Sequence, residues 1–158
     1  MSDRHALYFA YGSNMDAARL RARVEHAELV GPARLPGYQL RCDKPGADGS
    51  AKANVVARDG HEVWGVLWRL RVAALSTLDR FEGGYRRVEL TVERVGGGAA
   101  LAASYRAERT TEERAVFDWY KALMIEGARA HGLPLPWVAA LERIAARPDP
   151  ERARRGLA

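Results

Sequence analysis

The sequence predicts an α+β domain. Strand-like segments alternate with glycine- and proline-rich turns from residue 7 to about residue 106, and two helical patterns follow. The segment 62–70 is apolar on both faces, as in a strand at the centre of a sheet or barrel. No repeat or second domain interrupts the pattern, and 158 residues with 47% apolar content suffice for one core.

Leu7, Tyr8, Phe9, Ala10 and Tyr11 are apolar or aromatic and run into Gly12, the pattern of a buried first strand. Ser13-Asn14-Met15-Asp16 carries the S-x-x-D spacing of a capping box with Ser13 as cap, so a helix is expected through about Val24. Residues 28–35 and 38–40 read as short strands broken by Pro32 and by Pro36-Gly37, and 43–51 as a loop. A weak strand at 53–57 meets the turn signal Asp59-Gly60. The strand at 62–70 then puts Trp64, Val66 and Trp68 on one face and Val63 and Leu67 on the other. Val72, Leu75 and Leu78 at helical spacing predict a helix over 72–81, stopped by Gly83-Gly84. Strands at 85–95 and 101–106 flank the turn Gly96-Gly97-Gly98. A helix over 113–131 presents Val116, Trp119, Tyr120, Leu123 and Gly127 on one face, Gly132-Leu133-Pro134 ends it, and a last helix runs over 136–146.

Composition narrows the function classes. The net charge is +5, but the arginines are scattered among acidic residues. The densest cluster, 147–155, also carries Asp149 and Glu151, and reads as a solvated polar tail (147–158) after a domain over 1–146, so no nucleic-acid partner is expected. No apolar run spans a bilayer, so no membrane partner is expected; the short polar start lacks the shape of a secretory signal, and a cytoplasmic location is expected. Cys42 is the one cysteine and has no base near it in sequence. His5, His26, His61 and His131 lack metal-ligand spacing, so no metal site is expected. Gly12-Ser13-Asn14 is not a nucleophile elbow, and no Walker-type loop is present.

Two places remain that can carry chemistry. Residues 8–14 join a buried strand to a helix start through a glycine, where backbone can approach an anion closely; an ordinary capped strand–turn–helix reads equally well. Glu82 ends a helix ahead of two glycines, where the helix dipole favours its protonated form; it also reads as a surface carboxylate paired with Arg86 or Arg87.

Several segments, in order, resemble the γ-glutamylcyclotransferase (AIG2-like) family. Tyr8-Phe9-Ala10-Tyr11-Gly12-Ser13-Asn14 is similar to its YGSN signature, and Val63-Trp64-Gly65-Val66-Leu67-Trp68 to its VxGxxW strand. Leu78-Asp79-Arg80-Phe81-Glu82-Gly83 resembles its LDxxEG segment, and Tyr85-Arg86-Arg87 the YRR that follows. Tyr120, Gly127-Ala128 and Gly132-Leu133-Pro134 match the late helix and its end.

The resemblance implies a small mixed β-barrel with flanking helices. It implies an enzyme that cyclises a γ-glutamyl amine to 5-oxoproline and frees the amine, with Glu82 as the proton carrier and no metal or cofactor. Tyr8, Phe9, Ala10, Tyr11, Gly12, Ser13 and Asn14 would bind the glutamyl unit. Tyr85 would line the Glu82 pocket, and Tyr120, which also reads as a core aromatic, would lie beside the substrate. The partner would be a small γ-glutamyl molecule and the protein a monomer or homodimer. A non-catalytic ligand-binding module of this fold, or a biosynthetic cyclase removing a γ-glutamyl protecting group, is the alternative. The outer pocket that meets the leaving amine is expected from residues 43–51 and 105–111.

Overall fold

The computed structural model describes residues 4–152. Its five long strands are β1 (His5–Ala10), β2 (Glu28–Pro45), β3 (Ala51–Arg71), β4 (Tyr85–Arg94) and β5 (Gly98–Ala107). They close into a barrel in the order β1-β3-β2-β4-β5. Paired neighbours run antiparallel except β5 and β1, whose parallel contact at Tyr8 and Ala103 closes the ring. The expected mixed barrel is the fold of this chain. β3 lies between β1 and β2, which is why Val63, Val66, Leu67 and Trp68 are all buried.

The proline and glycine signals inside β2 and β3 mark irregularities, not strand ends. The expected short strands are single strands of 18 and 21 residues. The register shifts between Leu29 and Gly31, between Pro36 and Tyr38, and between Arg41 and Lys44. Asp59-Gly60 sits in the second of these shifts, between the pairs Pro36–Glu62 and Tyr38–Ala57. Such bulges bend and twist a ladder, and closing so few strands into a barrel requires strong bending. The expected loop over 43–51 shrinks to the hairpin end at 46–50.

Four helices flank the barrel: α1 (Ala17–Arg23), α2 (Val72–Phe81), α3 (Asp118–Ala130) and α4 (Leu135–Glu142). A 3₁₀ turn, Ser13–Met15, precedes α1. Asp16, not Ser13, caps α1: its carboxylate accepts from the Arg19 N–H at 2.9 Å. Leu75 and Leu78 are buried on α2, whereas Val72 is exposed at its start. The helix expected from residue 113 begins at Asp118, because Val116–Phe117 (β6) pairs in parallel with Ala146–Arg147 (β7).

The first residues of the expected solvated tail are held against the domain. Arg147 donates to the Gly49 carbonyl at 2.8 Å, and the buried Asp149 accepts from Trp119 Nε1 at 2.9 Å. Residues 153–158 of that tail lie outside the described residues.

Candidate active site

The turn after β1 is built by local chemistry. Met15 N–H bonds to the Gly12 carbonyl and Asp16 N–H to the Ser13 carbonyl, so the N–H groups of Gly12, Ser13 and Asn14 precede the first bond of the turn. Gly127 of α3 presses the turn into place: a Cβ there would lie 2.8 Å from Met15 Cβ and 2.9 Å from the Met15 carbonyl carbon. His131 reaches the Met15 carbonyl at 3.0 Å from the end of the same helix. Both contacts hold α3 against the end of the turn that carries Ser13 and Asn14.

Glu82 arrives from the opposite side. It is the C-cap of α2, and its N–H bonds to the Asp79 carbonyl at 3.1 Å. Its carboxylate accepts from Asn14 Nδ2 at 2.9 Å, and the same amide nitrogen donates to the Tyr8 hydroxyl at 3.0 Å. Arg23 Nη1 lies 3.7 Å from Glu82 Oε1 and donates to Asn14 Oδ1 at 3.3 Å. The Asn14 amide thus presents its nitrogen to the anion and its oxygen to the cation.

The alternative reading of Glu82, a surface pair with Arg86 or Arg87, does not hold. Arg87 pairs with Asp79 at 3.4 Å, and the Glu82 side chain is only 13% exposed. Burial raises the Glu82 carboxyl above the ordinary carboxylate value, opposed by Arg23, Lys44, Arg19 and the Asn14 hydrogen bond. Desolvation therefore does the work assigned above to the helix dipole.

The carboxylate faces the turn across a small cavity of about 40 Å³. Of the residues singled out from the sequence, Tyr8, Tyr11, Gly12, Ser13, Asn14, Glu82, Tyr85 and Tyr120 line it. Phe9 and Ala10 do not: the Phe9 ring packs against Gly65, and Ala10 is paired within the barrel wall. Burial pushes the hydroxyls of Tyr8, Tyr11, Tyr85 and Tyr120 up, so they remain protonated. Each has a fixed partner. Tyr11 donates to the Tyr105 carbonyl at 2.6 Å, Tyr85 to the Ala53 carbonyl at 2.6 Å, and Tyr120 accepts from the Ala53 N–H at 3.1 Å.

Ala53, Ser104 and Tyr105 complete the lining and were not singled out as binding residues, although Tyr105 opens the 105–111 segment expected to shape the pocket. The cations around Glu82 were also missed. Arg19 and Arg23 stand one helical turn apart just after the signature loop, and that spacing is the signal that would have found them. Burial pushes the Cys42 thiol up to about 12, which leaves it unreactive. Among the described residues no group of His, Cys, Asp and Glu is placed to hold a metal ion, and no helix is long and apolar enough to cross a membrane.

The barrel seats a largely buried glutamate against a Gly-Ser-Asn turn at one small cavity. Comparison with known proteins gives the family. Residues 8–122 match the family described as "Gamma-glutamyl cyclotransferase, AIG2-like", and the chain belongs to it. It is 33% identical over 147 residues to a γ-glutamylcyclotransferase of Bos taurus, covering 87% of this chain and 78% of that protein. The Homo sapiens γ-glutamylcyclotransferase is 32% identical over 149 residues, with the same coverage of both chains. A solved structure named "Gamma-glutamyl cyclotransferase" superposes with a TM-score of 0.86 at 29% identity, covering 91% of this chain and 90% of that one.

Proposed function

We propose that this protein cyclises a γ-glutamyl amine to 5-oxoproline and releases the free amine, with Glu82 carrying the proton. The observation that carries the reading is the 2.9 Å hydrogen bond between Asn14 and a largely buried Glu82 in the wall of the cavity, in a chain whose relatives are named γ-glutamylcyclotransferases.

In the reaction the substrate's own α-amine attacks its γ-carbonyl carbon. A carbon–nitrogen bond forms within the glutamyl unit, and the bond to the departing amine breaks. The attacking ammonium must lose a proton and the departing nitrogen must gain one. Glu82 takes the first and returns it to the second, which suits a carboxyl whose pKa is raised toward neutrality. The N–H groups of Gly12, Ser13 and Asn14 hold the glutamyl α-carboxylate, and Asn14 keeps Glu82 aimed at the amine. The fixed tyrosines wall the site, so the substrate is held folded; positioning of this kind is worth roughly 7–11 kcal/mol of barrier. Balanced proton transfer needs no metal or cofactor, and the reading places the reaction in the cytoplasm.

The test is incubation with γ-glutamyl-amino acids, γ-glutamyl amines and peptides, following 5-oxoproline by mass spectrometry. Turnover is expected, with Glu82→Gln slower by about a hundredfold or more. Full activity in Glu82→Gln would overturn the mechanism, and binding without turnover on every compound would favour a ligand-binding module.

A further inference from the structure

β3 pairs with β2 along one edge, and with β1 on the other edge only over residues 66–71. Over residues 51–55 that second edge is joined by no strand among the described residues. Other groups take its peptides. Ala51 N–H donates to the Ala115 carbonyl at 3.0 Å, and the Val55 carbonyl accepts from Arg106 Nε at 3.2 Å. Between them lies Ala53, which holds Tyr120 by its N–H and Tyr85 by its carbonyl. A stretch of sheet edge with no strand beside it thus forms part of the cavity wall, and the place of Ala53 decides where two of the tyrosines stand.

Side chains bridge this edge to the end of β5 in place of a ladder. Arg106 reaches Val55 from one side, and the buried Asn54 reaches back from the other. Asn54 Oδ1 accepts from the Ala107 N–H at 2.9 Å, and its Nδ2 donates to Asp43 Oδ1 at 2.9 Å. The other oxygen of the buried Asp43 faces Arg41 Nε at 3.4 Å and Arg114 Nη1 at 3.5 Å. Asp43 stands in a bulge: Cys42 and Asp43 lie opposite Ala53 alone, between the pairs Arg41–Asn54 and Lys44–Lys52. A bulge re-aims side chains, and here the carboxylate lies against Asn54. Beyond Asn54, Ala107 is the register partner of Tyr85, and Tyr85 N–H bonds to the Glu82 carbonyl at 3.0 Å. The contacts close into a ring. It runs from Asn54 to Ala107, across to Tyr85, and through the Tyr85 hydroxyl back to Ala53, with Glu82 attached at Tyr85.

We infer that Asn54 is a positioning residue for the reaction: it clamps the end of β5 to β3 where no ladder joins them, and so sets where Tyr85 and Glu82 stand relative to Ala53. The inference rests on the cyclotransferase reading above. Asn54 does not line the cavity, so it acts through Tyr85 and not on the substrate. Both ends of its amide are matched, and removing the amide would strand the Ala107 N–H and one oxygen of a buried carboxylate. Proton transfer depends on the spacing the clamp keeps, since a misplacement of about 1 Å can cost on the order of a hundredfold in rate.

The experiment measures kcat and KM for γ-glutamyl-alanine in the wild type, Asn54→Ala, Tyr85→Phe and the two combined, each well below its melting temperature. Asn54→Ala should lower kcat/KM by at least about tenfold. The loss in the combined variant should fall well short of the product of the two single losses, as for residues that act through one another. Losses that multiply overturn the inference, and so does a folded Asn54→Ala with wild-type kinetics, which would leave Asn54 a purely structural role. A second pair of variants carries the test if Asn54→Ala does not fold. Asn54→Asp alone sets two buried carboxylates against each other and should be slow. Adding Asp43→Asn exchanges the two side chains, so that an amide again donates to a carboxylate and the Ala107 N–H keeps its acceptor; most of the turnover should return. Wild-type activity in Asn54→Asp, or no recovery on the exchange, overturns the clamp. Absence of 5-oxoproline from the wild type overturns the cyclotransferase reading and this inference with it, whereas the other failures leave that reading intact.

Discussion

Asn14 Nδ2 and Glu82 Oε1 meet at 2.9 Å, joining a turn and a helix end that are 68 residues apart in sequence. Arg23 completes the triangle by touching both side chains. The charge state of Glu82 is therefore set by groups from two separate elements, each of which can be altered alone.

Replacing Arg23 by Met removes a cation that holds the Glu82 pKa down. The Glu82 pKa rises further, and a general base with a higher pKa loses its ionised form at a higher pH. The acid limb of kcat/KM against pH should move upward relative to the wild type, with the smallest rate loss at the alkaline end. An acid limb in the same place would show that Arg23 does not act on the proton carrier.

Stability should depend on pH through Glu82 in a defined direction. A carboxyl whose pKa is raised by folding holds its proton more tightly in the folded chain than in the unfolded one. Below the ordinary glutamate value of about 4.3 both states are protonated and the carboxyl costs nothing. As pH rises from there through the raised folded value, ionising the buried group costs stability, and the loss then levels off. Glu82→Gln does not titrate, so its melting temperature should exceed that of the wild type at neutral pH. The two should converge near pH 4, and thermal unfolding scans at several pH values read the gap.

Gly127→Ala tests whether α3 positions the signature turn. An Ala for Gly inside a helix normally gains about 1 kcal/mol. Here the new methyl would sit 2.9 Å from backbone of Met15 and 3.1 Å from Asp16 N, and neither can swing aside as a side chain end does. Overpacking of this kind costs about 1–3 kcal/mol, so the net effect should be a lower melting temperature. Displacing Met15 also moves Asn14, and kcat/KM should fall although residue 127 lies outside the cavity lining. A stabilised variant with full activity would show that the turn is set elsewhere.

Much of the barrel was legible because its signals are local. The doubly apolar segment 62–70 is buried on both faces because β3 lies between β1 and β2. The prolines and glycines of β2 misled because a breaker and a bulge leave the same mark in sequence. Pro36-Gly37 bends a strand whose ladder continues on either side, and only pairing with β3 decides that it continues. The same limit applied to Ser13: its hydroxyl faces Arg19 Nε while Asp16 takes the cap, a choice between two capping residues three positions apart that packing makes.

By itself the sequence determined the two elements that make the site, a buried strand running into a glycine turn and a glutamate ending a helix before two glycines. Strand, turn and helix end are set within a few residues by side-chain periodicity and backbone freedom. The tertiary structure decided everything that depends on burial. It turned Phe9 away from the cavity and gave Glu82 to Arg23 and Asn14 in place of Arg86 or Arg87. The energy of a charge depends on how much water it loses and which groups from distant segments replace that water, and closing the barrel fixes both.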